Sequence, residues 1–354
     1  VAQDVRPGPQ KLDRVSLRRF ATTLAISAAG GFLAVLLGIP AGWLAGGMLA
    51  VAIASLAGVN TDFPAPVRAP LFLVLGIYAG SGVSPETIVQ MRTWPTSFAI
   101  LAVSVVALIA GSYVWLHRRC GWDRNAALLS SSPGALTFIL ATAEGVRTDL
   151  KKVAIAQSIR LLILIEAIPL VAFLVGLPPL SDGSVVTVAR AEDVAMMFAA
   201  AIPAGFVLER LSLPGGWMLG GLAATAALLL AGLVEGTLPA YLLIPCTIAI
   251  GAMAGSRFRP GDLAVLPHVA GPALVAFAIA AIISAAGAAL VTLLFGVNFI
   301  QTLLAFAPGG FEALTIVAFQ VNVDPAYVAA HHVVRFLALA AAVPVLARWL
   351  DRRA

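Results

Sequence analysis

Apolar residues in this chain run in long unbroken blocks, not in alternating or amphipathic patterns. Phe98–Trp115, Val153–Val175 and Ala273–Phe295 are each close to the roughly 20 residues that a helix needs to cross a bilayer core. The period-2 alternation of a membrane barrel is absent, so the blocks read as helices. Gly, Pro and polar clusters divide the first part of the chain into helices over roughly 17–38, 42–58, 69–83, 96–117 and 153–177. The second part divides into roughly 192–209, 216–233, 240–256, 270–295 and 326–349. Before the last helix of each set lies a shorter apolar piece, 126–144 and 301–321, broken by Pro-Gly.

The two sets are copies of one another. Ile39–Gly47 (IPAGWLAGG) recurs as Leu213–Gly221 (LPGGWMLGG), and Gly76–Ile88 recurs as Gly251–Leu263. Ser132–Ala135 (SPGA) recurs as Ala307–Gly310 (APGG), and Ser158–Leu162 (SIRLL) as Val333–Leu337 (VVRFL). All four pairs lie about 175 residues apart in the same order, which indicates an internal duplication. The chain therefore divides into an N-terminal tail (1–16), a first transmembrane repeat (17–180), a linker (181–191), a second repeat (192–349) and a C-terminal tail (350–354).

Composition settles the solvent. Of 354 residues, 60% are hydrophobic and 11% charged, against about 25% charged in a soluble domain. The charges that remain decide between two topologies. If the Pro-Gly pieces cross the membrane, the repeats are parallel, and Arg147, Lys151, Lys152, Arg210, Arg257 and Arg259 all face outward. If they turn back, each half has five spans and the second is inverted. The basic N-terminal tail, Arg118, Arg119 and Arg124, the six residues just named, and Arg348, Arg352 and Arg353 then share the cytoplasmic side. The excess of positive charge on cytoplasmic loops prefers the second arrangement, with both termini cytoplasmic in a bacterial inner membrane. Inverted repeats with interrupted helices recur among secondary transporters. The polar start of the chain reads as a retained tail, with no small-residue cleavage site. Cys120 and Cys246 have no metal-type spacing and imply no disulfide framework. A net charge of +5 fits cytoplasmic Lys and Arg and calls for no nucleic-acid partner.

The doubled PxGWxxGG and SPGA/APGG elements resemble those of the AbrB-type bacterial membrane family, whose members carry an internal duplication. The resemblance covers Leu17 to Trp349. Such proteins are labelled regulators of gene expression or ammonia monooxygenases, labels that bring no catalytic or binding residues with them. The residues argue against an oxygenase: His117 and His268 flank helix ends, and the neighbours His331 and His332 point about 100° apart on a helix.

Candidate chemistry lies in the last helix of each half and in the breaks. Arg160 and Arg335 are equivalent and about two turns inside their spans, too deep for easy snorkelling. One reading is a two-armed clamp for a carboxylate or other anion. The other is structural pairing with Glu144, Glu166 or Glu312. The breaks expose backbone N–H groups at half-helix N-termini, which favour anions. Ser130, Ser131, Ser132, Gly134 and Thr137 in the first half, with Gly309 and Gly310 in the second, are the candidate lining. Glu312, His331, His332 and Glu166 are candidates for ion coupling. Asp149 and Asp324 read as helix N-caps, and Trp43, Trp217 and their neighbouring glycines as packing elements.

The fold expected is an all-α polytopic membrane protein of two inverted repeats, each with about five spans and one re-entrant segment. The function expected is secondary transport of a small organic anion, coupled to H⁺ or Na⁺, with no cofactor, no metal and no enzymatic activity. The alternatives are a membrane sensor that regulates gene expression through a partner protein and, third, a membrane monooxygenase. The lipid bilayer and a small anion are the expected partners, with a homo-oligomer open.

Overall fold

The computed structural model describes residues 14–351 except 40, 84–86, 88, 90, 135, 175–186, 212, 214, 310–313, 316, 319–320 and 322. Among the described residues the structure is helical throughout, apart from an isolated bridge between Val188 and Thr237. The first half comprises α1 (Arg14–Leu36), α2 (Gly42–Leu56), α3 (Arg68–Gly80), α4 (Trp94–Val114), α5 (Arg124–Ser131), α6 (Leu136–Glu144) and α7 (Leu150–Leu174). The second comprises α8 (Ala191–Arg210), α9 (Gly216–Leu230), α10 (Ala240–Gly255), α11 (Leu266–Phe295), α12 (Phe299–Phe306) and α13 (Pro325–Asp351). The long helices begin and end within four residues of the expected positions, the largest difference being the start of α11 at Leu266.

The helices are not of equal standing. Among the described residues, five stretches, which contain most or all of α1, α4, α8, α11 and α13, are long and apolar enough to cross a bilayer core. By contrast α2, α3, α9 and α10 have 13 to 16 residues, or roughly 20–24 Å at 1.5 Å per residue. These short helices pack tightly through backbone: α2 lies against α10 and α3 against α9. A Cβ on Gly76 would collide with the Met218 carbonyl oxygen, and one on Gly220 with the backbone of Gly205 in α8. Small residues at these crossings let dispersion contacts form where lipid supplies no hydrophobic drive. The doubled PxGW turns need a left-handed residue at the start of α2 and α9. Gly215 fills it at φ 69°, whereas Ala41 adopts φ 56° and carries the steric cost of its Cβ.

Exchanging each helix for its counterpart maps several of the main contacts onto one another. The α2–α10 contact becomes α9–α3, α1–α10 becomes α8–α3, α4–α13 becomes α11–α7, and α5–α7 becomes α12–α13. Helices α4 and α11, counterparts of each other, also touch, and their register gives their direction. Ser104 lies by Gly287, Ser112 bonds the Ala276 carbonyl, and Trp115 bonds the Pro272 carbonyl. As residue numbers rise along α4 they fall along α11. The two run antiparallel.

In each half, residues at the start of the broken segment lie beside residues that follow it. Before α5, Asp123 accepts from the Thr148 hydroxyl after α6, and the Asn125 side-chain amide bonds the Arg147 carbonyl. In the second half the Gln301 side chain in α12 accepts from the Asp324 amide, just before α13. Asp351, at the far end of α13, joins the Asn125–Arg147 cluster, and Lys151 bonds the Gly261 carbonyl nearby. The Ser81–Thr237 and Gln301–Asp324 bonds involve the opposite helix ends.

Two stability outcomes follow from the backbone contacts. Gly76→Ala forces α3 off α9 and lowers stability by about 1–3 kcal/mol, as overpacking does, read from thermal unfolding in detergent. Ala41→Gly relieves the left-handed alanine and raises the midpoint in the same assay.

Candidate functional site

The site forms where α5 and α12 stop. Asp123 caps the start of α5 by accepting from the Ala126 amide, and Asn298 caps α12 through the Ile300 and Gln301 amides. Both helices have eight residues, about 12 Å at 1.5 Å per residue. Each is thus well short of the length that crosses a bilayer core, and its last carbonyls have no partner within the helix. Proline follows at Pro133 and Pro308, and neither can continue the helix.

Those carbonyls are the acceptors for the buried arginines. Arg160 is 6% exposed and donates through Nη1 to the Ser132 carbonyl at 3.0 Å. Arg335 is 4% exposed and donates to the Ala307 carbonyl at 2.6 Å and the Gly309 carbonyl at 3.0 Å. The donors one turn earlier match as well. Gln157 donates to the Leu129 carbonyl, and its counterpart His332 donates to the Leu304 carbonyl through Nε2. A cation at a helix C-terminus is favoured by the dipole as well as by the bond. The broken helix thus supplies partial negative charge where a counter-ion would otherwise be needed. The charge of Arg160 is also felt at Arg335, so the guanidinium groups lie within electrostatic reach of each other.

Among the described residues no carboxylate forms an ion pair with either arginine. Glu144 is exposed, and Glu166 is half-buried with a buried Oε1 that has no hydrogen-bond partner. Glu312 and Gly310 lie outside the described residues, as does the Thr137 side chain. Two of the three serines are spent locally: the Ser131 and Ser132 hydroxyls bond the carbonyls of Ala127 and Leu128, one turn back. Only the Ser130 hydroxyl is buried without a partner, alongside Nε and Nη2 of Arg160. Gly134 follows the first break, and Gly309 sits against Leu164 of the other half.

Each arginine borders a cavity, and the cavities are counterparts of very different size. One holds about 490 Å³, lies along α4 and α13, and has Arg335 and Ser132 in an otherwise apolar wall. The other holds about 20 Å³, room for about one water, and is bordered by Arg160, Ser130 and Pro308. Phe98, Leu101, Ala102 and Val105 of the first correspond to Ala273, Ala276, Phe277 and Ala280 of the second.

The histidines separate. His332 donates from Nε2 to Leu304, and its Nδ1 accepts from Arg335. His331 donates from Nδ1 to the Tyr327 carbonyl, and Ser97 donates to its Nε2. The Tyr327 hydroxyl bonds Ser97 at 2.7 Å. Sequence reading passed over Gln157, Ser97 and Tyr327. The offset of 175 from His332 would have found Gln157, but nothing local marks the other two. Asp149 and Asp324 cap their helices through the Lys152 amide and the Ala326 and Tyr327 amides.

These features define a helical membrane-type protein with a paired, buried arginine centre. The chain belongs to the family described as transition state regulatory protein AbrB, whose model matches residues 43–351. It is 28% identical over 341 residues to "Putative regulator AbrB" of Escherichia coli (strain K12), covering 91% of this chain and 92% of that one. It is 24% identical over 361 residues to "Uncharacterized protein YhjN" of Bacillus subtilis (strain 168), covering 92% of each.

Removal of either guanidinium leaves helix-end carbonyls unpaired. Arg335→Ala loses two carbonyl bonds and the His332 contact, and Arg160→Ala loses one bond. With about 1.5–3 kcal/mol for a charged hydrogen bond, Arg335→Ala lowers the thermal midpoint more than Arg160→Ala in detergent.

Proposed function

We propose that this protein is a secondary carrier that moves a small organic anion across a bacterial inner membrane by alternating access. The observation that carries the proposal is the pair of equivalent cavities, one open and one collapsed, each ending at an equivalent buried arginine. An inverted repeat generates this asymmetry: when each half takes the other's conformation, the open cavity closes and its counterpart opens on the opposite side. The antiparallel α4 and α11 support inversion, since counterpart helices of parallel repeats run in the same direction. The hydrogen bonds that bring residues 123–125 back to 147–148 support a re-entrant course for the broken segments.

The orientation proposed puts the end bearing Arg147, Lys151, Lys152 and Asp351 in the cytoplasm, with the chain termini. Arg160 and Arg335 hold the anion's charge, and the free hydroxyl of Ser130 and the N–H groups that follow the breaks complete the cradle. In this reading the protein works without a cofactor, metal or nucleic acid and catalyses no reaction. The family description and the name of the Escherichia coli relative favour a second reading, a membrane sensor that acts on gene expression through a partner protein.

Two measurements test this. Proteoliposomes containing the protein accumulate one member of a panel of labelled short-chain carboxylates with saturable kinetics, and Arg160→Lys and Arg335→Lys each reduce the rate at least tenfold while the protein stays folded. Absence of flux together with a stoichiometric cytoplasmic partner replaces the carrier by the sensor. For topology, single cysteines at Asp123 and Thr148 in a chain lacking Cys120 and Cys246 react with a membrane-impermeant thiol reagent from the same side. Labelling from opposite sides rules out re-entrance.

A further inference from the structure

Resting on the carrier reading, we infer that the coupling ion is a proton, taken up by His331 when an anion occupies the arginine centre. Asp324, Tyr327, His331 and Arg335 are spaced three to four residues apart and so line one face of α13 from its start to the arginine centre. The equivalent positions of α7 hold Asp149, Lys152, Ala156 and Arg160, so the stripe is specific to the second half. It is also continuous in hydrogen bonds. The Tyr327 hydroxyl donates to Ser97 Oγ, Ser97 donates to His331 Nε2, and His331 Nδ1–H donates to the Tyr327 carbonyl. All three side chains are fully buried, with Trp94, Phe98 and Phe306 around the imidazole.

This chain has the polarity that a proton wire needs. A proton delivered by water to the Tyr327 oxygen moves Tyr327's own proton to Ser97, and Ser97's to Nε2. Each hydroxyl keeps one hydrogen, and only the imidazole gains charge. At the start of the stripe the Thr87 hydroxyl bonds the Asp324 carboxylate, and among the described residues Gln301 Nε2 and Trp94 Nε1 are buried without a hydrogen-bond partner. Buried polar atoms left over in this way mark a place for water.

His332 has no such freedom. Its Nε2–H is given to Leu304 and its Nδ1 accepts from Arg335, so a second proton would set N–H against N–H between two cations.

Among the described residues, the charged and titratable groups facing His331 are Arg335, His332, Tyr327 and, two turns back, Asp324 along α13, with Arg160 of α7 acting on Arg335. The neighbours on α4 and α12 are Ser97, Trp94, Phe98 and Phe306, none of which is charged. The imidazolium is opposed first by its burial and then by the guanidinium one turn away, the part that a bound anion can change. An anion held by that guanidinium removes this second part, so anion and proton each raise affinity for the other. Linkage of this kind makes the pair move together.

The test is titration calorimetry of the purified chain in lipid nanodiscs, using butanoate and butanesulfonate between pH 5.5 and 8. The sulfonate keeps its charge across that range, and paired buffers of different ionisation enthalpy report protons taken up. Wild type is expected to bind tighter as pH falls, up to about tenfold per pH unit for full coupling, and to take up close to one proton per anion. His331→Gln is expected to bind with an affinity independent of pH and without uptake, while His332→Gln keeps the linkage. Where His331→Gln does not fold, Ser97→Val removes the hydroxyl that accepts from the imidazolium and reduces uptake. Binding by wild type without proton uptake, or unchanged uptake in either His331→Gln or Ser97→Val, overturns the proton site and leaves the carrier intact. No binding of either anion at any pH overturns the anion reading itself, and the proton site with it.

Discussion

The contact between a buried guanidinium and the carbonyl end of a broken helix organises the interior of this protein. A cation inside a membrane costs several kcal/mol unless something compensates it. Here helices α5 and α12 stop after eight residues and turn their unused carbonyls and the negative end of their dipoles toward Arg160 and Arg335. The relation is mutual. The arginine needs the broken helix as its counter-charge, and the broken helix needs the arginine as its cap. Because the first halves of both segments are fixed in this way, the Pro-Gly turns come to rest beside the last helices, and the two charged centres come near each other.

The glycine contacts fix everything around that centre. Gly76 lets backbone meet backbone between the short helices α3 and α9, and Gly220 does the same between α9 and the longer α8. The short helices of one half pack on those of the other, so neither half encloses its own core. Such an arrangement ties the halves at α2–α10 and α3–α9 and leaves α4, α7, α11 and α13 to bound the cavities. The unequal cavities lie in that second group, where contacts involve side chains, and not in the glycine-packed block, where movement would break backbone contact.

Much of this was legible in the chain. Helix positions followed from apolar runs, because a spanning helix has few other ways to be written. Duplication was visible because four short motifs kept one offset. The placing of arginines and lysines led to the expectation of re-entrant segments, and the Asp123–Thr148 and Gln301–Asp324 bonds bring the flanks of each segment together. Less was legible at the site. Ser130, Ser131 and Ser132 look alike in sequence, yet two of them bond their own helix and one does not. The arginines were marked, but their partners were backbone atoms, which carry no residue signature. The Tyr327–Ser97–His331 chain joins residues 230 and 234 positions apart, and no periodicity announces such a meeting.

The sequence by itself determined the apolar helices, the repeat and the equivalent places of the two arginines in the last helices, because each is written in local composition or in a constant offset. Only the tertiary structure decided which end of a broken helix meets an arginine, that α4 and α11 lie against each other, and which histidine keeps a nitrogen free of the guanidinium. Those outcomes depend on directions in space: a carbonyl and an amide hydrogen of one broken helix point opposite ways, and a string of residue names carries no vector.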